Sequence, residues 1–261
     1  MGGGGPAKGG GPGGPPPLDR LQNPNQPLVL KREAAEEILR KSEERQQRVN
    51  ALIERITSGK SQLTIDTSSI AQGSPQVGVV GAIDAAEGER FKKQQIEYLK
   101  ELAKTEVGLK LLSDLDASPF KTTIQPGTGG SNETSYADRA AASYQDAANT
   151  VKGAGSAVTI SMNPHIDSYA DPGEAEAPWM TERQKYGLYH ELVHAWHAVQ
   201  GQRADGEHNG TDVRDGSTRS LRNAEFQAMG MGPWHDQPVS EVTIRAQMGK
   251  PARPHYDHLT Y

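Results

Sequence analysis

Five consecutive residues, His190-Glu191-Leu192-Val193-His194, carry the strongest chemical signal in this 261-residue chain. An α-helix advances about 3.6 residues per turn, so positions i and i+4 lie on one face. His190 and His194 can then offer two imidazole nitrogens to one metal ion. Glu191 lies beside them as a carboxylate able to take a proton from a metal-activated water. The chain has eight histidines, so a chance match is rare. The setting is also helical. Gly187, Leu188, Leu192, Val193, Ala195 and Val199 give an apolar environment, Thr181 and Gln184 fit a capping box upstream, and Gly201 fits a C-terminal cap.

Two imidazoles leave a catalytic metal short of a third protein ligand. The chain has no cysteine, which excludes a thiolate site and leaves imidazoles and carboxylates. Downstream candidates are Asp205, Glu207, His208, Asp212, Asp215, Glu225, His235, Asp236 and Glu241. Most sit in polar or Gly-rich stretches, where surface exposure is the default. His197, one turn beyond His194, would crowd the same ion and is read as lying beside the site or on the surface. Glu225 differs, because it falls in a second helical stretch, 221–229, that ends at Gly230. A helix-borne Glu is the usual third ligand where another helix follows the His-Glu-x-x-His helix. The expected centre is therefore Zn2+ held by His190, His194 and Glu225, with Glu191 as general base. The second imidazole nitrogens need acceptors, for which Glu241 or Asp212 could serve.

The rest of the chain must position these residues. Net charge is −5, which gives no sign of a nucleic-acid or anionic-membrane partner, and no stretch approaches the roughly 20 apolar residues of a membrane span. The N-terminus lacks a charged region followed by an apolar one, so no Sec signal peptide is expected. Residues 1–27 form a Gly- and Pro-rich leader whose composition predicts disorder. The spacing of Ala34, Ala35, Ile38 and Leu39, then Val49, Leu52, Ile53 and Ile56, predicts an N-terminal helix within 28–60, a surface a secretion chaperone can use. Residues 61–261 make the remaining domain. Within it, short strands are expected near 62–66, 77–80, 120–125 and 157–162, one helix over 90–114, partial helix over 137–151, and loops at 127–135 and 169–178. The fold class is α+β, a minimal zincin-like arrangement, mostly helical with a small sheet beside the metal helix. Val158, Ile160 and Met162 are the candidates for an edge strand that an extended peptide could join.

From His190 to Tyr256 the sequence resembles the NleD-like zinc metallopeptidase family of bacterial type III effectors. The matching residues are His190 to Ala195, Glu225, Ala228, Gly230, Met231, Ser240, Glu241, Ile244, Arg245, Ala246, Gly249, Pro251, Arg253 and Tyr256. Val242 stands where the family commonly has Asn. Ala224 stands where a second acid often precedes the ligand, which leaves Glu225 as the acid available there. The resemblance implies a secreted effector, delivered into a host or target cell, that cleaves a host protein; family members cleave mitogen-activated protein kinases. It also implies a role for Arg253 and Tyr256, whose spacing is similar to an arginine–tyrosine pair that stabilises the oxyanion in clostridial neurotoxin proteases. The expected protein is a monomer. Two alternatives are a metal-binding interaction module without catalysis and a toxin domain of a polymorphic secretion system. Glu191 argues against the first, since a binding module does not need it, and the start at Met1 argues against the second.

Overall fold

The computed structural model describes residues 28–68, 85–127, 131–165 and 175–261. The leader, the strand expected at 77–80 and the 169–174 part of the expected loop lie outside the described residues. The chain divides into two units between Arg45 and Gln46, within helix α1 (Leu28–Thr57). In the first unit, Arg32 pairs with Glu36 at 2.8 Å and Arg40 with Glu37 at 2.7 Å on the helix surface. Ile38 and Leu39 stay 68% and 62% exposed, so the helical spacing there does not mark a buried face.

In the second unit, Val49, Leu52, Ile53 and Ile56 join the main core, as their spacing predicts. Residues 90–114 form two helices, not one: α2 (Ala85–Ala103) and α3 (Glu106–Ala117). Thr105 is the cause. Its backbone leaves the helix at φ −89°, ψ 154°, and its hydroxyl accepts the Gly108 N–H at 2.9 Å. A Cβ on Gly108 would lie 2.0 Å from the Leu102 carbonyl oxygen, so the tight reversal requires glycine. The apolar period runs unbroken across the junction, because Leu99, Leu102, Val107, Leu111 and Leu112 are all buried.

Four short strands make the first sheet: β1 (Leu63–Ile65), β2 (Thr122–Pro126), β3 (Glu133–Tyr136) and β4 (Val158–Met162), in the order β1-β2-β4-β3. β1, β2 and β4 run parallel, with Ile65 opposite Ile124 and Ile124 opposite Ile160; β3 is antiparallel to β4. This order corrects the expectation for β4. It has a partner on each side, and Val158, Ile160 and Met162 point into the core at 3%, 0% and 1% exposure. The edge beside the metal helix is β3. Between β3 and β4 only α4 (Arg139–Ala142) is helical.

The His-Glu-x-x-His helix is α5 (Arg183–Val199), and every residue from Lys185 to Val199 is buried. Glu182 precedes it at φ 57°, and no capping box forms. The Thr181 hydroxyl donates to the Pro178 carbonyl and the Gln184 amide to the Pro164 carbonyl. Gly201, at φ 64°, ends the segment as expected. A second sheet follows that the sequence reading treats as loop: β5 (Glu207–Asp212), β6 (Thr218–Arg222) and, from the C-terminal end, β7 (Leu259–Thr260), ordered β6-β5-β7 and antiparallel. α6 (Asn223–Met229) starts where β6 stops and ends on Gly230 at φ 80°. α7 (Glu241–Gln247) begins with a capping box formed by Ser240 and Thr243.

Candidate metal centre

Polar groups on a helix buried on all sides gain by finding partners within the fold. His190 and His194 do so by facing a common point. Their Nε2 atoms lie 3.0 Å apart, and Glu225 Oε2 lies 3.3 Å from the first and 3.1 Å from the second. All three residues are buried. One proton can bridge two such atoms but not three. A four-coordinate ion with ligands at about 2.0–2.1 Å separates its ligand atoms by roughly 3.3 Å, close to the triangle formed here. The three residues can hold a metal ion.

The surroundings fix this triangle. His190 Nδ1 sits 3.1 Å from Glu241 Oε2, which is fully buried. An imidazole that gives its Nδ1 proton to a carboxylate keeps Nε2 free as a ligand. The other oxygen of Glu241 accepts from Arg245 Nε at 2.7 Å. Arg245, 1% exposed, lies with its guanidinium carbon 4.0 Å from the centre of the Tyr186 ring and donates to the Trp179 carbonyl at 3.2 Å. Arg253 adds a second guanidinium 3.7 Å from Glu241 Oε2. Burial opposes the charge on Glu241, but the His190 hydrogen bond and the two arginines outweigh it and bring the carboxyl down to about 2. Burial likewise opposes charge on Glu225, and the two histidines hold it well below its ordinary value. For His190, burial disfavours the proton, yet Glu225 and Glu241 raise its pKa to about 9.

Glu191 is 7% exposed, and its Oε2 accepts a 2.5 Å hydrogen bond from the Thr134 hydroxyl on edge strand β3. Tyr256 stacks on His190 with ring centres 5.3 Å apart, and Arg253 lies over the Tyr256 ring at 4.6 Å. Burial, reinforced by Glu225 and Glu191, holds the Tyr256 phenol well above its ordinary pKa. These residues open onto a cleft of about 350 Å³ that also has Asn132, Trp179, Arg183 and Gly187 in its walls. A Cβ on Gly187 would lie 2.4 Å from Asn132 Nδ2, so a larger residue there would push the Asn132 amide aside.

The structure thus brings together His190, Glu191, His194, Glu225, Arg253 and Tyr256. Asp212 stands elsewhere, in β5, where it holds Arg214 and Arg219 at 2.8 and 2.6 Å. His197 lies outside the triangle and is buried rather than on the surface, with its ring against Trp196; burial, with His194 nearby, lowers its pKa to about 3. Val158, Ile160 and Met162 are core residues and present no edge to a substrate. Sequence reasoning missed Thr134 and the paired role of Arg245. For Arg245 a signal exists, the i, i+4 spacing from Glu241.

Two helices thus bring two imidazoles and a carboxylate to one point, with a second carboxylate, Glu191, beside them, an arrangement that can hold a metal ion. The Peptidase_M91 family, described as an effector protein, matches residues 80–256, well over half of the chain, and the chain belongs to that family. No curated protein matches the chain. Among solved structures, it is similar to the light chain of botulinum neurotoxin type C in a zinc-removed form, at 18% identity and TM-score 0.43, over 62% of this chain and 50% of that one. It is also similar to the serotype F light chain of Clostridium botulinum, at 14% identity and TM-score 0.45, over 76% and 65%. The chain matches half to about two-thirds of those light chains.

Proposed function

We propose that the chain is a zinc endopeptidase that hydrolyses a peptide bond in a host-cell protein, with His190, His194 and Glu225 as the metal ligands. The observation that carries this is the triangle of two Nε2 atoms and one carboxylate oxygen with edges of 3.0 to 3.3 Å. Two imidazoles and a carboxylate, without thiolate, form a donor set that zinc takes in hydrolases. When bound, zinc polarises the scissile carbonyl and lowers the pKa of its water toward about 7.

The chain's own residues supply the remaining steps. Glu191, held by Thr134, accepts the proton of the attacking water and returns it to the leaving amine. Tyr256 is protonated at neutral pH and so donates its phenolic hydrogen to the developing oxyanion, with Arg253 beside it. A donor in that role contributes about 2.7–4 kcal/mol to the transition state. An extended substrate segment adds to the edge of β3 that has no strand partner among the described residues, next to Glu191. Delivery into a host cell, assisted by a secretion chaperone on the N-terminal segment, belongs to the same reading, as does a mitogen-activated protein kinase as substrate. The resemblance to the effector family supports both.

The test has two parts. Metal analysis of the purified protein is expected to give one zinc per chain, lost in Glu225→Ala. Identification of new protein termini in host lysate is expected to give cleavages with the parent and none with Glu191→Gln. A protein that takes up no zinc, or a Glu191→Gln variant that yields the parent's termini, overturns the proposal.

A further inference from the structure

We propose that Arg222 is a positioning residue of the metal centre, which holds the outer oxygen of Glu225 so that the inner oxygen faces the two histidines. This rests on the reading of Glu225 as third ligand. The two oxygens of Glu225 have separate partners. Oε2 meets the histidine nitrogens at 3.1 and 3.3 Å, and Oε1 meets Arg222 Nη2 at 3.1 Å. The terminal torsion of a Glu side chain is broad and close to two-fold, so nothing intrinsic decides how the carboxylate is turned. A guanidinium has fixed donor directions and can make that choice. Arg222 stands where β6 passes into α6, at φ −61°, ψ 135°, and its side chain caps no backbone group of the helix. Its guanidinium reaches three residues ahead to Glu225 instead.

Exposure separates this role from a structural one. The Arg222 side chain is 55% exposed and that of Glu225 is 8% exposed. An ion pair with one partner in solvent adds little to folding. Its consequence falls on the carboxylate that it orients. Charge and geometry also predict opposite signs. If Arg222 acted only through its charge, it would repel a dication, and Arg222→Gln would bind metal more tightly. If it acts by orienting Glu225, Arg222→Gln binds metal more weakly, and Arg222→Lys, which keeps the charge but not the fork, lies between.

The experiment titrates the full chain with Co2+, followed by its visible absorption, and with Zn2+ in competition, for the parent, Arg222→Gln, Arg222→Lys and Glu225→Ala. Thermal unfolding of the four metal-free proteins runs alongside. We expect Arg222→Gln to lose about tenfold in affinity. Its cobalt band should weaken as Glu225 turns both oxygens to the ion, with metal-free unfolding close to the parent's. Parent-like or tighter binding by Arg222→Gln, with Glu225→Ala impaired, overturns the role of Arg222 and leaves the metal centre standing. A large drop in metal-free unfolding temperature assigns Arg222 to the fold and also overturns it. A parent that binds neither ion overturns the metal reading, and the role of Arg222 with it.

Discussion

Glu241→Gln is the sharpest perturbation of the buried support behind the metal ligands. Glu241 has no solvent exposure, and its two oxygens have separate N–H donors, His190 Nδ1 at 3.1 Å and Arg245 Nε at 2.7 Å. Glutamine is almost the same size but offers one oxygen and one NH2. With its oxygen on Arg245, its NH2 meets His190 Nδ1, which accepts only as the Nε2–H tautomer and then no longer offers Nε2 to a metal; turned the other way, its NH2 faces the Arg245 N–H. Arg245, 1% exposed, then keeps a buried charge without its carboxylate. Breaking one side of a buried pair costs about 3–5 kcal/mol. For a domain of this size each kcal/mol lowers the unfolding temperature by about 2–4 °C, so a fall of about 10 °C is expected in the metal-free protein. Because Glu241 also orients His190, zinc affinity should drop about 10- to 100-fold. Thermal unfolding without metal and zinc competition titration measure the two effects separately. A Glu241→Gln protein that unfolds within about 2 °C of the parent and binds zinc within about twofold of it (well under these expected costs) would refute the reasoning.

Other outcomes follow from single contacts. Gly108→Ala places a methyl 2.0 Å from the Leu102 carbonyl oxygen, and should destabilise by about 1–3 kcal/mol, read in a denaturant melt. Thr134→Val keeps the side chain's shape, removes the 2.5 Å hydrogen bond to Glu191, and should slow cleavage of whichever host protein is identified while zinc content stays at the parent level. Asp212 is held below the ordinary carboxylate range by its bonds to Arg214 and by the charge of Arg219. A depressed carboxylate stabilises fully above its unfolded pKa, about 3.9, and loses that stabilisation as pH falls through the lower folded value. The stability gap between parent and Asp212→Asn should thus be constant above about pH 5 and shrink below about pH 4, as seen in unfolding curves across pH.

What the sequence revealed follows from what local patterns can carry. The metal helix was legible because three functional residues fall within five positions. The C-terminal half of α1 and strands β1, β2 and β4 were legible because apolar residues recur at one period. The break at Thr105 was hidden by an apolar period that continues through it, although Thr105 and Gly108 were there to read. The β5-β6-β7 sheet was hidden for the opposite reason: Glu207 to Asp212 is polar throughout, and its strands are set by pairing with distant segments. The interior place of β4 depends on β3, which has no buried side chain to announce it. Distance along the chain also conceals support contacts, since Thr134 meets Glu191 across 57 positions and His190 meets Glu241 across 51.

Edge strand β3 is four residues long. Ala137 bonds through its N–H to Ala157 on the β4 side. Backbone groups alternate direction in an antiparallel ladder, so Thr134 and Tyr136 turn theirs to the side away from β4, where no strand pairs among the described residues. A guest strand gains only two anchoring positions, about 7 Å apart. Such a short track accepts a few residues in extended form and rejects folded chain. Under the proposed docking on β3, a target must first release a segment from its own structure, and where release and reclosure outpace cutting, the cutting rate follows the fraction of time that the segment is open. On this footing, the target's local unfolding would set the pace of its destruction as much as the chemistry at His190 and His194 does.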